Sequence, residues 1–415
     1  MMRMSSRRDF LQASAALGLS SLFAPNLFAR KEVVNPSKAT AKQCIFIWMG
    51  GGMTHLDTWD PKEHPKVKGE FNAIKTTTDG LQISELFPLV AKQTKHISVI
   101  RSLHGTNADH SRASYELQSS FKVQQGVMHP QLGSVISYYY PSTGDLPSYI
   151  NIGGGDPTPG YLGQKVAPYA VGTPGDPDPY LMLPRGVDKN IQARRLKMLK
   201  KRNHDFNDGV LRDAVDVEVE RALSLMYSPQ VKAFDLKYET PKNLGRYGDS
   251  PFGRGLLTAK RLIDEGVSVV RVNEGGFDMH NGIFDAMRLK GPEMDAAIAA
   301  LIEDLHESGK LESTMVVMMS EFGRTPRINV DGGRDHHAKC FSIMMAGGGV
   351  KTGYVHGSSD EQGMHPKDKI VQVPDIYTTI AKCFGIDGNK VFKTPNGRPI
   401  HLLNPKGKVI DGLLV

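Results

Sequence analysis

The stretch Met315–His337, MVVMMSEFGRTPRINVDGGRDHH, changes character in its middle. Its first five residues, Met315-Val316-Val317-Met318-Met319, are apolar and partly β-branched, which predicts a buried strand. Ser320, Glu321, Phe322, Gly323, Arg324, Thr325 and Pro326 then fall at the strand's carboxyl end. A loop rich in Gly and Asp leads on to Arg334, Asp335, His336 and His337. In open α/β sheets, ligands bind in the crevice beyond the carboxyl ends of the strands. A carboxylate, guanidinium groups and two adjacent imidazoles delivered to that edge predict a functional site.

Other strand ends bring similar residues to the same edge. Cys44–Met49 is apolar throughout, as in a strand covered on both faces, and Gly50-Gly51-Gly52 ends it. Thr54, His55 and Asp57 follow, while Asp60-Pro61 reads as turn chemistry. The strand Ile97–Ile100 leads to His104, Asp109, His110, Ser111 and Arg112, at the start of a helix expected over 113–121. A helix amino terminus favours anions. Ser148–Ile152 and Ser268–Val272 are further strands. The second ends at Asp278 and His280, an oxygen and nitrogen pair suited to a divalent cation. Phe341–Ala346 is a strand closed by Gly347-Gly348-Gly349. Helices are expected over 86–95, 253–265, 293–305 and 372–384.

The 415 residues, 40% hydrophobic and 23% charged, are ordinary for a globular protein able to bury a large core. The formal charge of +7 falls to +5 without residues 1–29, and most basic residues are interleaved with acids, which argues against nucleic-acid binding. The basic run Arg194–Arg202 reads as a solvated helix face. Cys44, Cys340 and Cys383 are too few and scattered for a disulfide framework or a thiolate zinc site, and read as buried residues. Residues 1–29 carry Ser6-Arg7-Arg8-Asp9-Phe10-Leu11, an apolar core and a small residue at Ala29, the pattern of a twin-arginine signal peptide. That pattern predicts export through the twin-arginine translocase to the periplasm or beyond. The remaining segments are too short in apolar length for a stable membrane span. Residues 30–415 are expected to form one domain, with an insertion at about 153–245 and a loop or lid over 153–184.

Four motifs carry a resemblance. They are a strand followed by Gly51-Gly52-Met53-Thr54-His55-Leu56-Asp57-Thr58-Trp59-Asp60-Pro61-Lys62, then Phe277-Asp278-Met279-His280, Glu321-Phe322-Gly323-Arg324-Thr325-Pro326, and Gly333-Arg334-Asp335-His336. The chain resembles the bacterial export family known as domain of unknown function 1501, along nearly its whole mature length. That family looks like a branch of the alkaline phosphatase and sulfatase superfamily. The resemblance implies an α/β fold, a mostly parallel sheet sandwiched by helices, with divalent metal at the strand ends and hydrolysis of sulfate or phosphate esters. It implies Asp278, His280 and one of His336 or His337 as ligands. The sulfatase Cys-x-Pro-Ser-Arg motif is absent, and Phe322 stands where many relatives carry a His. A one-metal site is therefore the expectation.

The function expected from these residues is a metal-dependent ester hydrolase acting on an anionic small molecule or polysaccharide. Asp278, His280 and His336 would hold zinc, manganese or calcium, with His337, Glu321 and Asp57 as further ligands or supports. Arg324 or Arg334 would clamp the anion, and Ser111 or Thr54 would offer a hydroxyl nucleophile. His55 and His110 complete the candidate set. The rival is a non-catalytic exported protein that retains the fold and binds an anionic polysaccharide.

Overall fold

A computed structural model describes residues 38–155, 157–176, 186–206, 225–388, 390–393 and 397–415. The proposed signal segment, residues 1–29, and part of the 153–184 stretch lie outside the described residues. Nine strands form the main sheet: β1 (Gln43–Met49), β2 (Ile97–His104), β3 (Tyr149–Ile152), β4 (Tyr169–Val171), β5 (Val269–Glu274), β6 (Thr314–Met319), β7 (Phe341–Ala346), β8 (Tyr354–His356) and β9 (Val371–Gln372). Their spatial order is β8-β2-β7-β6-β1-β5-β3-β4, with β9 also beside β2. All pairings are parallel except the two made by β7. The expected α/β architecture is the one observed.

Alternation along each strand decides what the two faces carry. Ile45, Ile47 and Met49 of β1 join the core beneath helices α4 (Pro251–Asp264) and α5 (Ile283–Glu307). Cys44 and Trp48 face the other core, with α1 (His110–Ser119), α2 (Leu132–Tyr139) and α6 (Val373–Cys383). The run of apolar residues at every position is the mark of a strand covered on both sides. Between α2 and α4 lies α3 (Lys189–Phe206), whose Arg194, Arg195, Lys197 and Lys201 are exposed as a solvated face. All three cysteines are free and buried.

Two expectations change. Within 153–184, Tyr169–Val171 is an edge strand paired to β3, so this part of the stretch belongs to the sheet and is no lid. Helix α5 begins ten residues ahead of the expected Glu293 and runs through Pro292. Gly291 and Pro292 lie in its middle, and burial of Met287, Gly291 and Met294 along one face outweighs the local breaker. Among the described residues no helix is long and apolar enough to cross a membrane.

Candidate metal centre

The carboxyl ends of β1, β5 and β6 meet the amino end of α1. Gly51 and Gly52 allow this close approach. At Gly51 (φ +113°) an added Cβ would lie 2.5 Å from the Asp278 backbone nitrogen. At Gly52 (φ +82°) it would lie 2.5 Å from the Phe322 ring. We expect Gly51→Ala to cost about 1–3 kcal/mol of stability and to weaken metal retention roughly tenfold by displacing Asp278. Chemical denaturation and chelator competition measure the two effects.

Beyond β5, Phe277 and Met279 turn into the core while Asp278 and His280 share the outer side. Parity also separates the two late histidines. His336–His337 forms a short antiparallel ladder with Gly323–Arg324, and neighbouring residues on such a ladder point to opposite sides. His336 therefore reaches Asp278, its Nε2 lying 3.0 Å from Oδ1. His337 turns away, and its Nε2 meets the Met364 carbonyl at 2.8 Å. His337 as a metal ligand is corrected on this geometry.

Four side chains converge. The Asp278 Oδ1 lies 3.0 Å from His280 Nε2 and 3.0 Å from His336 Nε2, and those two nitrogens are 3.0 Å apart. His110 Nε2 lies 3.3 Å from Asp278 Oδ2. Each imidazole is oriented from behind through Nδ1: His110 by Glu321 Oε1 at 2.7 Å, His280 by Asp335 Oδ1 at 2.9 Å, His336 by the Ala108 carbonyl at 2.8 Å. An Nδ1 facing an acceptor carries the proton, so in the neutral rings every Nε2 presents a lone pair to the carboxylate. His110 Nε2 is buried without a hydrogen-bond partner. Lone pairs facing lone pairs at this spacing fit a shared cation with bonds of about 2 Å. His110, Asp278 and His336 also satisfy a metal-ligand spacing as a group, with ligand atoms within 4.8 Å of one another.

Glu321 is 4% exposed and accepts from His110, from the Gly51 amide at 2.8 Å and from the Ser320 hydroxyl at 3.1 Å. It orients a ligand rather than serving as one. Burial pushes the Asp278 carboxyl up, but the hydrogen bond and the positive charge of Arg324 outweigh this and hold it well below the usual carboxylate range. The hydrogen bond from His280 likewise lowers Asp335. The Phe322 ring packs against His110 and His336, at centroid distances of 4.8 and 4.7 Å.

Neither arginine is free to clamp an anion, which corrects that expectation. Arg324 is fully buried and donates to the carbonyls of Gly51, Gly52 and Arg334 and to Asp278. Arg334, also fully buried, holds Asp57 through Nε at 2.8 Å and Nη2 at 3.4 Å, and donates to the carbonyls of Val67, Thr325 and Pro326. Asp57 as a ligand is corrected with it: its oxygens are taken by Arg334 and by the Thr54 hydroxyl, 2.8 Å away. Thr54 is thus an internal hydrogen-bond donor, 1% exposed, and not a nucleophile. His55 meets the Gly363 carbonyl at 2.9 Å. Ser111 stands exposed beside His110 on the first turn of α1.

Burial pushes the His55 imidazole down to about 4. The unfolded chain takes up this proton near the ordinary value of about 6.5. Its contribution is therefore complete above about pH 6.5 and declines as pH falls toward 4, by about 3 kcal/mol. Urea denaturation at pH 7 and pH 4.5 should show the decline, reduced in His55→Gln.

The family model described as "Protein of unknown function (DUF1501)" matches residues 41–414, and the chain belongs to that family. No curated protein matches it in sequence. Solved structures similar to it include the PsFucS1 sulfatase from Pseudoalteromonas sp., with 12% identity, 98% of this chain and 78% of that chain covered, and a TM-score of 0.39. The lipoteichoic acid synthase LtaP from Listeria monocytogenes is 8% identical over 90% of this chain and 78% of that one, with a TM-score of 0.36. The C-terminal periplasmic domain of EcEptC from Escherichia coli, in complex with Zn, is 9% identical over 91% and 90%, with a TM-score of 0.39.

Proposed function

Taking membership of this family as the premise, we propose that the chain is an exported metal-dependent hydrolase of sulfate or phosphate esters. The observation that carries the reading is the convergence of three imidazole Nε2 atoms on Asp278, each ring fixed through Nδ1, with the His110 nitrogen otherwise orphaned. Asp278, His110, His280 and His336 would hold one divalent cation. A nitrogen-rich set suits zinc better than manganese or calcium, which favour oxygen ligands. When bound, the cation would stabilise the negative charge that develops on the ester oxygens. The protein's own groups prepare the site: Arg324 keeps Asp278 ionised, Glu321 and Asp335 fix two rings, and Phe322 packs against His110 and His336. Ser111 is the exposed hydroxyl beside this centre. Export by the twin-arginine route and an anionic polysaccharide ester as substrate belong to the same proposal.

Elemental analysis of protein purified without chelators, together with assays on chromogenic sulfate and phosphate esters, tests it. We expect about one equivalent of metal, and hydrolysis that stops on chelation and returns on reconstitution. Protein that takes up no metal even after reconstitution would sink the reading. One observation favours a second reading, a metal-containing binding protein without turnover: both buried arginines are committed internally, leaving neither guanidinium for substrate. Metal uptake with polysaccharide binding, and no hydrolysis of either ester class, would favour it.

A further inference from the structure

Two helical turns along α1 from His110, on the face of the sheet covered by α1 and α2, a cavity opens between Phe46, Trp48, Tyr149, Arg271, Gln118 and Gln131. Arg271 lies on the central strand β5, in register with Phe46 of β1, and is 5% exposed. The acceptors it touches are neutral: Asn273 Oδ1 at 2.7 Å, Gln118 Oε1 at 3.0 Å, Gln131 Oε1 at 3.2 Å, and the Tyr149 hydroxyl. The Trp48 ring covers its guanidinium at 5.1 Å, and Glu321 acts on it only through space. A buried cation without a contacting carboxylate is costly unless an anion arrives.

Other polar groups of the cavity offer donors, while the Tyr149 hydroxyl pairs with Arg271 and the Tyr377 hydroxyl donates to the Leu117 carbonyl at 2.7 Å. Gln118 and Gln131 spend their carbonyl oxygens on Arg271, which leaves their amide N–H groups to the cavity. Helix α2 starts here with Gln131 as its N-cap, without a side-chain cap and without an acidic residue in its first turn. Its first amide N–H groups and its dipole add to the positive side. Charge and donors thus converge from two helices and a strand on a space walled by the flat rings of Phe46, Trp48 and Tyr149.

We propose that this cavity binds one oxyanion group, a sulfate or carboxylate, separately from the metal centre. The group could be a free ion or be carried on a sugar whose apolar face lies against the rings, and the test separates these sources. The protein has two tryptophans, Trp48 and Trp59. Trp59 is fully buried away from the cavity lining, so Trp48 reports on the cavity. Chelator-treated protein is titrated with sodium sulfate, and in parallel with glucose 6-sulfate, at constant ionic strength. We expect a saturable change in tryptophan emission, kept in Asp278→Ala and weakened at least tenfold in Arg271→Gln. Tighter binding of the sugar sulfate assigns the site to a ligand-borne group, and equal binding assigns it to the free ion. No saturable response in the wild type, or undiminished affinity in Arg271→Gln, overturns the proposal. Should Arg271→Gln fail to fold, the double variant Gln118→Leu/Gln131→Leu decides in its place: affinity several-fold weaker supports the site, and unchanged affinity removes it. Independence from Asp278 keeps this outcome distinct from that of the hydrolase reading.

Discussion

Asp278→Asn is expected to leave the fold intact and to lower metal affinity by about a hundredfold or more, with ester hydrolysis lost in parallel. The asparagine carbonyl can still accept the hydrogen bond that Asp278 Oδ1 now takes from Arg324, so the buried guanidinium keeps a partner. What disappears is the negative charge on which the three Nε2 atoms converge. Outer-sphere changes typically cost 10–100-fold in metal affinity. Glu321→Gln, which alters the group behind His110, should therefore fall in that range and above Asp278→Asn. Chelator-competition titrations of both variants, with circular dichroism as the check on folding, measure the order. An Asp278→Asn protein that kept its metal at wild-type affinity would remove this residue from the centre.

Asp57→Ala is expected to destabilise the fold by about 3–5 kcal/mol, through loss of the partner of a fully buried guanidinium. Asp57 and Arg334 join segments 277 residues apart in sequence, and Arg334 also ties down the carbonyls of Val67, Thr325 and Pro326. The Arg334 carbonyl in turn accepts from Arg324, so the pair braces the metal centre from beneath. Replacing both residues with apolar side chains of similar size, Asp57→Leu with Arg334→Met, should recover much of the loss, because no charge is then left buried alone. Urea unfolding of the single and double variants checks this. A change below about 1 kcal/mol in Asp57→Ala would show that the pair contributes as little as an exposed one.

Much of the architecture could be read directly. The apolar runs of β1, β5, β6 and β7 are buried at nearly every position, and strands of that kind have few alternatives to a covered sheet. The edge strand Tyr169–Val171 could not be read, because three residues among Gly and Pro carry no periodicity. The Pro292 turn of α5 misled for the opposite reason: a strong local signal lost to burial of the whole helix face.

At the site, the sequence determined which chemistry is present and at which edge. Asp278, His280, Glu321, Arg324 and His336 all follow strands whose carboxyl ends share one side of the sheet. Tertiary structure decided which of these groups meet. Adjacent residues on a ladder face opposite ways, so His336 enters the centre while His337 leaves it, a distinction of parity that composition cannot carry. Arg324, Arg334 and Asp57 look like anion clamps and a ligand when written in a line, yet folding buries each against backbone carbonyls or an opposite charge and uses up its hydrogen-bonding capacity. His110, from a helix 211 residues away from Glu321, gains its place only because β2 and β6 lie two strands apart in the same sheet. Hydrogen-bond saturation and long-range proximity are properties of the packed chain, and they separate the residues that hold the site from those that can act in it.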